Sequence, residues 1–427
     1  MQTVKLFKRT AALFAAFAVA AAAAAVAAFA DDAPLGRGTE AAPYIVRTGA
    51  ELAAIGGSED GVGYITLAND IDLSDSPGKT CIIKKLTGKL DGAGHKITGL
   101  NLTGTAGKSW SKNNTGFIGE LSGSVENLTI SGAVINAANN NEIGALAGTV
   151  PNGSEVNIKN CIITGAISGT CSGSNAGAVI GAAKGSSDET TNVSLEGCIS
   201  NVNIEHSGAT YAGGIMGTAN YYVTLSVSDC AIIGNVKATN ACGIVGWYSS
   251  TSAFELKLSN SYFGGTLNGS NKYGIAYNKK LPDKYASNNF YFDTEKNKGV
   301  YAFYYNNIPG ASGVTTAEIM ALASTLDGFE ASDDFGGYPV PKQQTAASFS
   351  VTVDGSNVKV TAAKAGSYSL VLASYSGEAL ADVQIQTVAF ANDGDGQTVP
   401  VPDGFITDGR SFKAMLWNGM CPLAKSE

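Results

Sequence analysis

The sequence predicts an all-β protein: a right-handed parallel β-helix with short helical caps, followed by a small β-sandwich. Three observations lead there. Charged residues make up only 15% of the 427, Gly supplies 53, and the formal charge is −8. A solvated helical protein carries more charge and far less Gly, so the chain reads as turn-rich β structure. A ten-residue block recurs at 125–134, 158–167, 195–204, 227–236 and 258–267, with offsets of 33, 37, 32 and 31 residues, the spacing of solenoid coils. Each block carries at its third position Asn127, Asn160, Gly197, Asp229 or Asn260, the residue types that most readily turn the backbone into the left-handed region.

Taken in order, residues 1–30 read as a signal peptide. Lys5, Lys8 and Arg9 precede an alanine-rich apolar run that ends in Ala28-Phe29-Ala30, a small-residue cleavage site. An uncleaved anchor is the rival reading. Cleavage leaves about 397 residues outside the cytoplasm, with no later apolar run of membrane length and so no membrane span. Nucleic acid is excluded as a partner by the acidic balance, since its recognition calls for a basic face. The sequence carries no signal for an oligomeric state.

The β-helix is expected over 31–338. Thr48-x-x-Glu51 ahead of an apolar stretch is a capping box, which predicts a helix over 49–55 closing the N-terminal end of the coil stack. Within each ten-residue block, the first position (Val125, Ile158, Leu195, Val227, Leu258) and the tenth (Val134, Ile167, Ile204, Val236, Leu267) are aliphatic. The fourth position holds Leu128, Cys161, Cys198, Cys230 and Ser261, and the sixth Ile130, Ile163, Ser200, Ile232 and Phe263. Positions four, six and ten share one strand face and position one does not, so the third position must be a corner that turns both sides inward. Asn127, Asn160 and Asn260 then form a stacked polar ladder. The eighth position, Gly132, Gly165, Val202, Gly234 and Gly265, marks a second bend.

A second motif precedes each block: Gly116-Phe-Ile-Gly119, Gly144-Ala-Leu-Ala-Gly148, Gly177-Ala-Val-Ile-Gly181, Gly213-Gly-Ile-Met-Gly217 and Cys242-Gly-Ile-Val-Gly246. Small residues around a two-residue apolar step predict a short buried strand turning at both ends. Thr315-x-x-Glu318 before Ile319, Met320 and Leu322 predicts a second capping helix at the C-terminal end of the stack. Pro339-Val340-Pro341 reads as a linker into the β-sandwich, 339–427, with strands expected at 349–353, 358–361, 368–372, 383–387 and 412–417.

The Gly-hydrophobic-hydrophobic-Gly motifs resemble the GLUG repeats of bacterial surface and secreted proteins. The stretch before them resembles the region that precedes such repeats, through Pro43-Tyr44-Ile45-Val46, Thr48-Gly-Ala-Glu51, Tyr64-Ile-Thr-Leu-Ala-Asn69-Asp70-Ile71-Asp72-Leu73 and Leu90-Asp91-Gly92-Ala93-Gly94-His95-Lys96-Ile97. The resemblance covers roughly 43–341 and departs between Ser74 and Lys89, where the Trp and the Pro-Ile-Gly step of such proteins are absent. It implies a β-helical surface protein. The closing strand, Phe412-Lys-Ala-Met-Leu-Trp417, is similar to that of the small immunoglobulin-like domains that end clostridial surface proteins.

Candidate sites are few. Cys161, Cys198 and Cys230 share one inward column and read as reduced, apolar thiols, with a disulfide inside the column as the next reading and a metal as the third. There are only two histidines, His95 and His206, too few for a nitrogen-rich zinc site or a convincing nucleophile–base pair, so both read as structural. Asp70-Ile-Asp72 near Asp75, and Asp393-Gly-Asp395, suggest calcium as the one cofactor to consider; solvated turn residues are the simpler reading, and no cofactor is expected. Acidic residues of the repeats, such as Glu126, Glu196 and Asp229, sit singly in the sequence. Tyr285, Tyr291, Tyr301, Tyr304 and Tyr305, with Phe290, Phe292 and Phe303, form an aromatic cluster that reads either as a plug for the end of the stack or as a platform for sugar rings. The function expected is therefore a non-enzymatic surface or secreted protein, an adhesin-like spacer meeting glycans or cell-surface proteins. A polysaccharide lyase or hydrolase, a glycan-binding module and an envelope component are the alternatives.

Overall fold

The computed structural model describes residues 34–427 except 77, 105–113, 138–141, 170–174, 207–210, 250–253, 278–289, 298–310, 344–349, 363–364, 378, 393, 403–404, 406–409, 419–420 and 426–427. The segment read as a signal peptide lies outside them, as do Tyr285, Tyr301, Tyr304 and Tyr305. Two compact units emerge, Arg47–Gln344 and a second made of Thr345–Glu427 with the residues before Arg47.

The first unit is a parallel β-solenoid of about 5 turns. One coil runs Ser124–Glu126, Thr129–Ala137, Glu142–Gly144 and Ala147–Val150, and each of these strands belongs to a different sheet. Coil after coil adds one strand to each sheet in parallel register. In the first sheet Val125 lies beside Ile158, Leu195, Val227 and Leu258 in turn. In the second, Ile130, Ile163, Ser200, Ile232 and Phe263 stack the same way. All ten are buried.

Between these sheets the corner residues Asn127, Asn160, Gly197, Asp229 and Asn260 have φ of 53°, 50°, 63°, 53° and 44°. A left-handed residue reverses the inward–outward alternation for one step, which is why apolar side chains on both flanks reach one core.

The Gly motifs are corners, which corrects the buried strand expected there. Gly144 ends a strand of the third sheet, Ala145 and Leu146 make the bend, and Ala147 starts a strand of the fourth. The strand returns so sharply that a Cβ on Gly144 would lie 2.3 Å from the Ala147 carbonyl oxygen. The closing glycine faces the third sheet of the preceding coil: a Cβ on Gly181 would stand 2.4 Å from both the Ile143 nitrogen and the Gly148 oxygen. These glycines serve close approach of two backbones rather than an unusual φ.

A second correction concerns the tenth column. The strand Thr129–Ala137 bulges between Ile130 and Ala133, at Gly132 with φ of 67°, so Ile135 stacks on Ile167. Val134 faces solvent and is 52% exposed. One inserted residue moves every following side chain to the other face.

The helix Gly49–Gly56 is capped by Thr48, whose side chain accepts from the Glu51 nitrogen. Glu51 in turn accepts from the Arg47 nitrogen at 2.6 Å, and its carboxylate also pairs with the Arg47 guanidinium. The helix Thr316–Ala321 has the complete reciprocal capping box of Thr315 and Glu318. This second helix covers a flank rather than the end of the stack. Together with the hairpin Phe329–Ser332 and Tyr338–Pro341 it buries Ile319, Leu322, Phe329, Tyr338 and Val340 against Ile199, Ala231 and Tyr262. Those three residues form the outward column of the second sheet. The segment read as a linker, Pro339-Val340-Pro341, is therefore a strand of this cover. Its prolines fit a two-stranded hairpin, where backbone N–H groups at the edge have no ladder partner to lose.

The second unit contains two antiparallel sheets. One orders Ser350–Asp354, Asn357–Thr361 and Gly396–Pro400; the other orders Ala379–Phe390, Gly366–Ser376, Arg410–Asn418 and Cys421–Lys425. Val358, Val360, Leu370, Leu372, Ala414 and Leu416 form its buried interior.

Candidate binding site

The thiol column is part of the backbone hydrogen-bonding scheme. Cys161, Cys198 and Cys230 are free and at most 3% exposed. Each thiol donates toward the carbonyl two residues earlier, of Lys159, Glu196 and Ser228, at 3.3, 3.4 and 3.0 Å. Along the column the following coil supplies an acceptor: the Cys198 nitrogen donates to the Cys230 sulfur at 3.4 Å, and the Cys230 nitrogen to the Ser261 hydroxyl at 3.0 Å. Burial pushes the Cys161 and Cys230 thiols up, which keeps them protonated. Beside this column runs the amide ladder, in which Asn127 donates to Asp91 at 3.1 Å and Asn160 to Asn127 at 3.3 Å. Gly197 interrupts it, and Asn260 resumes it on Asp229 at 2.5 Å.

The acidic pairs are occupied by the chain itself. Asp70 accepts from the Lys96 nitrogen at 3.1 Å and lies 3.4 Å from the His95 ring, contacts that hold its carboxyl below the usual range. Asp72 accepts from the nitrogen and hydroxyl of Ser74, both at 2.9 Å. Asp395 accepts from the Asn392 nitrogen at 2.8 Å, while Asp393 lies outside the described residues. Among the described residues no group of three or more His, Cys, Asp or Glu is placed to hold a metal ion.

Register does bring together acids that look isolated in the sequence. Asp91, Glu126, Lys159 and Glu196 stand on adjacent strands of the first sheet, with Lys89 beside them. Lys89 pairs with Glu126 at 2.6 Å and Lys159 with Glu196 at 2.9 Å. Asp91 accepts from the Ala93 nitrogen at 2.9 Å and from Asn127; burial, with the nearby Glu126 charge, raises its pKa.

His206 is fully buried at the end of the strand Ile199–His206, and neither ring nitrogen has a hydrogen-bond partner among the described residues. Tyr291, the one described member of the sequence's tyrosine set, lies beside Tyr262 in register and packs under the flank cover, between buried Phe290 and Phe292.

The partly exposed aromatic surface lies elsewhere. Tyr211 in the third sheet meets Trp247 and Tyr277 of the fourth, with ring centroids 6.1 and 5.3 Å apart and planes tilted by 37° and 41°. Tyr273 closes edge-on against Tyr277 at 5.0 Å. These separations are those of rings in mutual contact, so residues from three coils form one continuous apolar surface. In the column that ends with Trp247 and Tyr277, earlier coils carry Thr149, Ala182 and Thr218. In the Tyr211 column the neighbours are Asn175, Asn240 and Asn271. Sequence reading missed this group because its members are 30 and 36 residues apart and only coil stacking brings them together. The visible signal was the switch from small residues to Trp and Tyr just after the Gly motifs.

No protein-family model and no curated protein matches the chain. Among solved structures it is similar to the crystal structure of a "putative immunoglobulin A1 protease" from Bacteroides ovatus, with a TM-score of 0.54 and 20% identity, covering 72% of this chain and 95% of that one. At that identity the likeness concerns the fold.

Proposed function

We propose that the chain is a non-enzymatic secreted or cell-surface protein of the GLUG-repeat kind, a rigid solenoid whose flank binds glycans or proteins, with an immunoglobulin-like module following it. The observation that carries this reading is the partly exposed ring surface of Tyr211, Trp247 and Tyr277, apolar area of the kind that marks binding sites on soluble proteins. The Gly-x-x-Gly corners and the leader-like first 30 residues support the family and the localisation. The test is to present the chain lacking residues 1–30 to arrays of glycans and of surface proteins and, in parallel, to incubate it with polysaccharides and with immunoglobulin A1. Binding without cleavage is the expected result; cleavage products would overturn it.

An enzymatic reading has one foothold among the described residues, the Asp91–Glu126 pair on adjacent coils, since paired carboxylates perform glycoside chemistry. Both carboxylates are already engaged, Glu126 by Lys89 and Asp91 by the corner it caps. Should cleavage appear, its loss in Asp91→Asn and Glu126→Gln would identify this pair as its source.

A further inference from the structure

We propose that Tyr211, Trp247 and Tyr277 form a subsite for a neutral polysaccharide chain, its sugar faces lying on the rings and its hydroxyls meeting the exposed amide of Asn271, which the buried Asn240 beneath it orients. The proposal rests on the reading of the chain as a binding protein and names the ligand class for that flank.

Three observations support it. The first is that the fold does not require these rings. Thr149, Ala182 and Thr218 fill the same column in the earlier coils, and Asn175, Asn240 and Asn271 flank Tyr211 in its own. Placing a Trp and two Tyr at half-exposed positions leaves apolar surface in water, a departure from local consistency of the kind expected at functional sites. The second is shape. The rings are tilted rather than coplanar, so they offer a turning surface to a chain of linked rings rather than a flat seat for one fused planar ligand. Asn271 donates to Asn240 at 2.8 Å along the stack, which fixes the orientation of two amides on consecutive coils.

The third is charge, which selects neutral over acidic sugars. No Arg occurs between Arg47 and Arg410, so no guanidinium fork is available to a carboxylate or sulfate in these coils. The lysines Lys184, Lys237 and Lys257 are each paired with a glutamate, Glu142, Glu205 and Glu255, which leaves Lys272, next to Asn271, as the single cation near the rings without a carboxylate partner among the described residues. A uronate polymer would bring a carboxylate on every sugar against that one lysine.

The experiment uses the chain without residues 1–30, titrated with cellohexaose, xylohexaose and mannohexaose and, separately, with oligogalacturonate and oligoalginate. Trp247→Thr and Tyr211→Asn install residues that the same columns already use, so folding is expected to persist, and thermal unfolding checks it. The expected result is binding of at least one neutral oligomer, quenching or shift of tryptophan fluorescence, and at least about tenfold weaker binding in each variant at unchanged melting temperature. If a variant does not fold, Tyr277→Ala and protection of Trp247 from acrylamide by the oligomer serve in its place. Neutral-oligomer binding that survives the ring substitutions would overturn this site while leaving the functional reading intact, as would binding confined to the uronates. No binding to any glycan or surface protein, together with cleavage of one of them, would overturn the functional reading itself.

Discussion

At the scale of single residues, the fourth column explains why three cysteines and a serine recur where a purely apolar core would take valine. The corner forces the nitrogen of this residue inward, where water cannot reach it, and the sulfur or hydroxyl of the next coil is its acceptor. Cys230→Val should therefore cost about 1–3 kcal/mol, the penalty of leaving the buried Cys198 nitrogen without a partner. Cys230→Ser keeps an acceptor, as Ser261 does one coil later, and should cost less; equal losses in urea denaturation would contradict this account. His206 supplies a pH-dependent counterpart. Burial lowers its pKa below the ordinary histidine value near 6.5. The unfolded chain then takes up the proton more readily than the folded one, so this contribution is constant above about pH 6.5 and is lost as pH falls from there through the depressed folded value. Melting temperatures measured from pH 8 to 5 should decline more steeply in the native chain than in His206→Met, and parallel profiles would exclude the effect.

At the scale of elements, glycines of the two recurring motifs do different work. Gly132 is a left-handed bulge residue with open space where a side chain would project, whereas Gly181 is held between two backbones. Gly132→Asn, which retains access to the left-handed region, should change stability by less than about 1 kcal/mol. Gly181→Ala introduces a carbon 2.4 Å from main-chain atoms of two other strands and should cost at least about 3 kcal/mol or prevent folding. Circular dichroism with denaturant titration separates the two, and similar losses would mean that the third and fourth sheets are less closely packed than described. The helix starts were legible because they are local: Thr48 and Thr315 each accept from the nitrogen three residues on, although only Thr315 has the reciprocal bond, Glu51 accepting from Arg47 instead of Thr48. What those helices cover was not legible, since the target of the second, the column of Ile199, Ala231 and Tyr262, is drawn from three coils.

At the scale of the whole molecule, the solenoid offers long sheets on which a polysaccharide could lie, yet the solenoid fold alone does not supply chemistry. Cleaving a uronate needs a base near the acidic carbon and a cation holding the carboxylate at one point. The basic side chains beside the acidic column, Lys89 and Lys159, are each paired with a glutamate. With calcium supplied and pH varied between 5 and 10, polygalacturonate, alginate and xylan should remain intact, as followed by unsaturated and reducing ends. Products that vanish in Asp91→Asn would move the enzymatic reading to first place.

The sequence by itself determined the all-β class, the coil period, the left-handed corners and the inward columns, because each follows from residue type repeated at a fixed spacing. Asn, Asp and Gly mark the corner in every copy, and an aliphatic residue stands two positions before it. Tertiary structure decided whatever depends on one coil lying against the next: the slip of Val134 into solvent, the conversion of the Gly motifs from strands into corners, and the use of Pro339-Val340-Pro341 as a covering strand. It also decided which aromatics share a surface. A dense run of tyrosines attracts attention in one dimension, but Tyr211, Trp247 and Tyr277 meet only because parallel stacking places residues some thirty positions apart side by side, a proximity that no local pattern encodes.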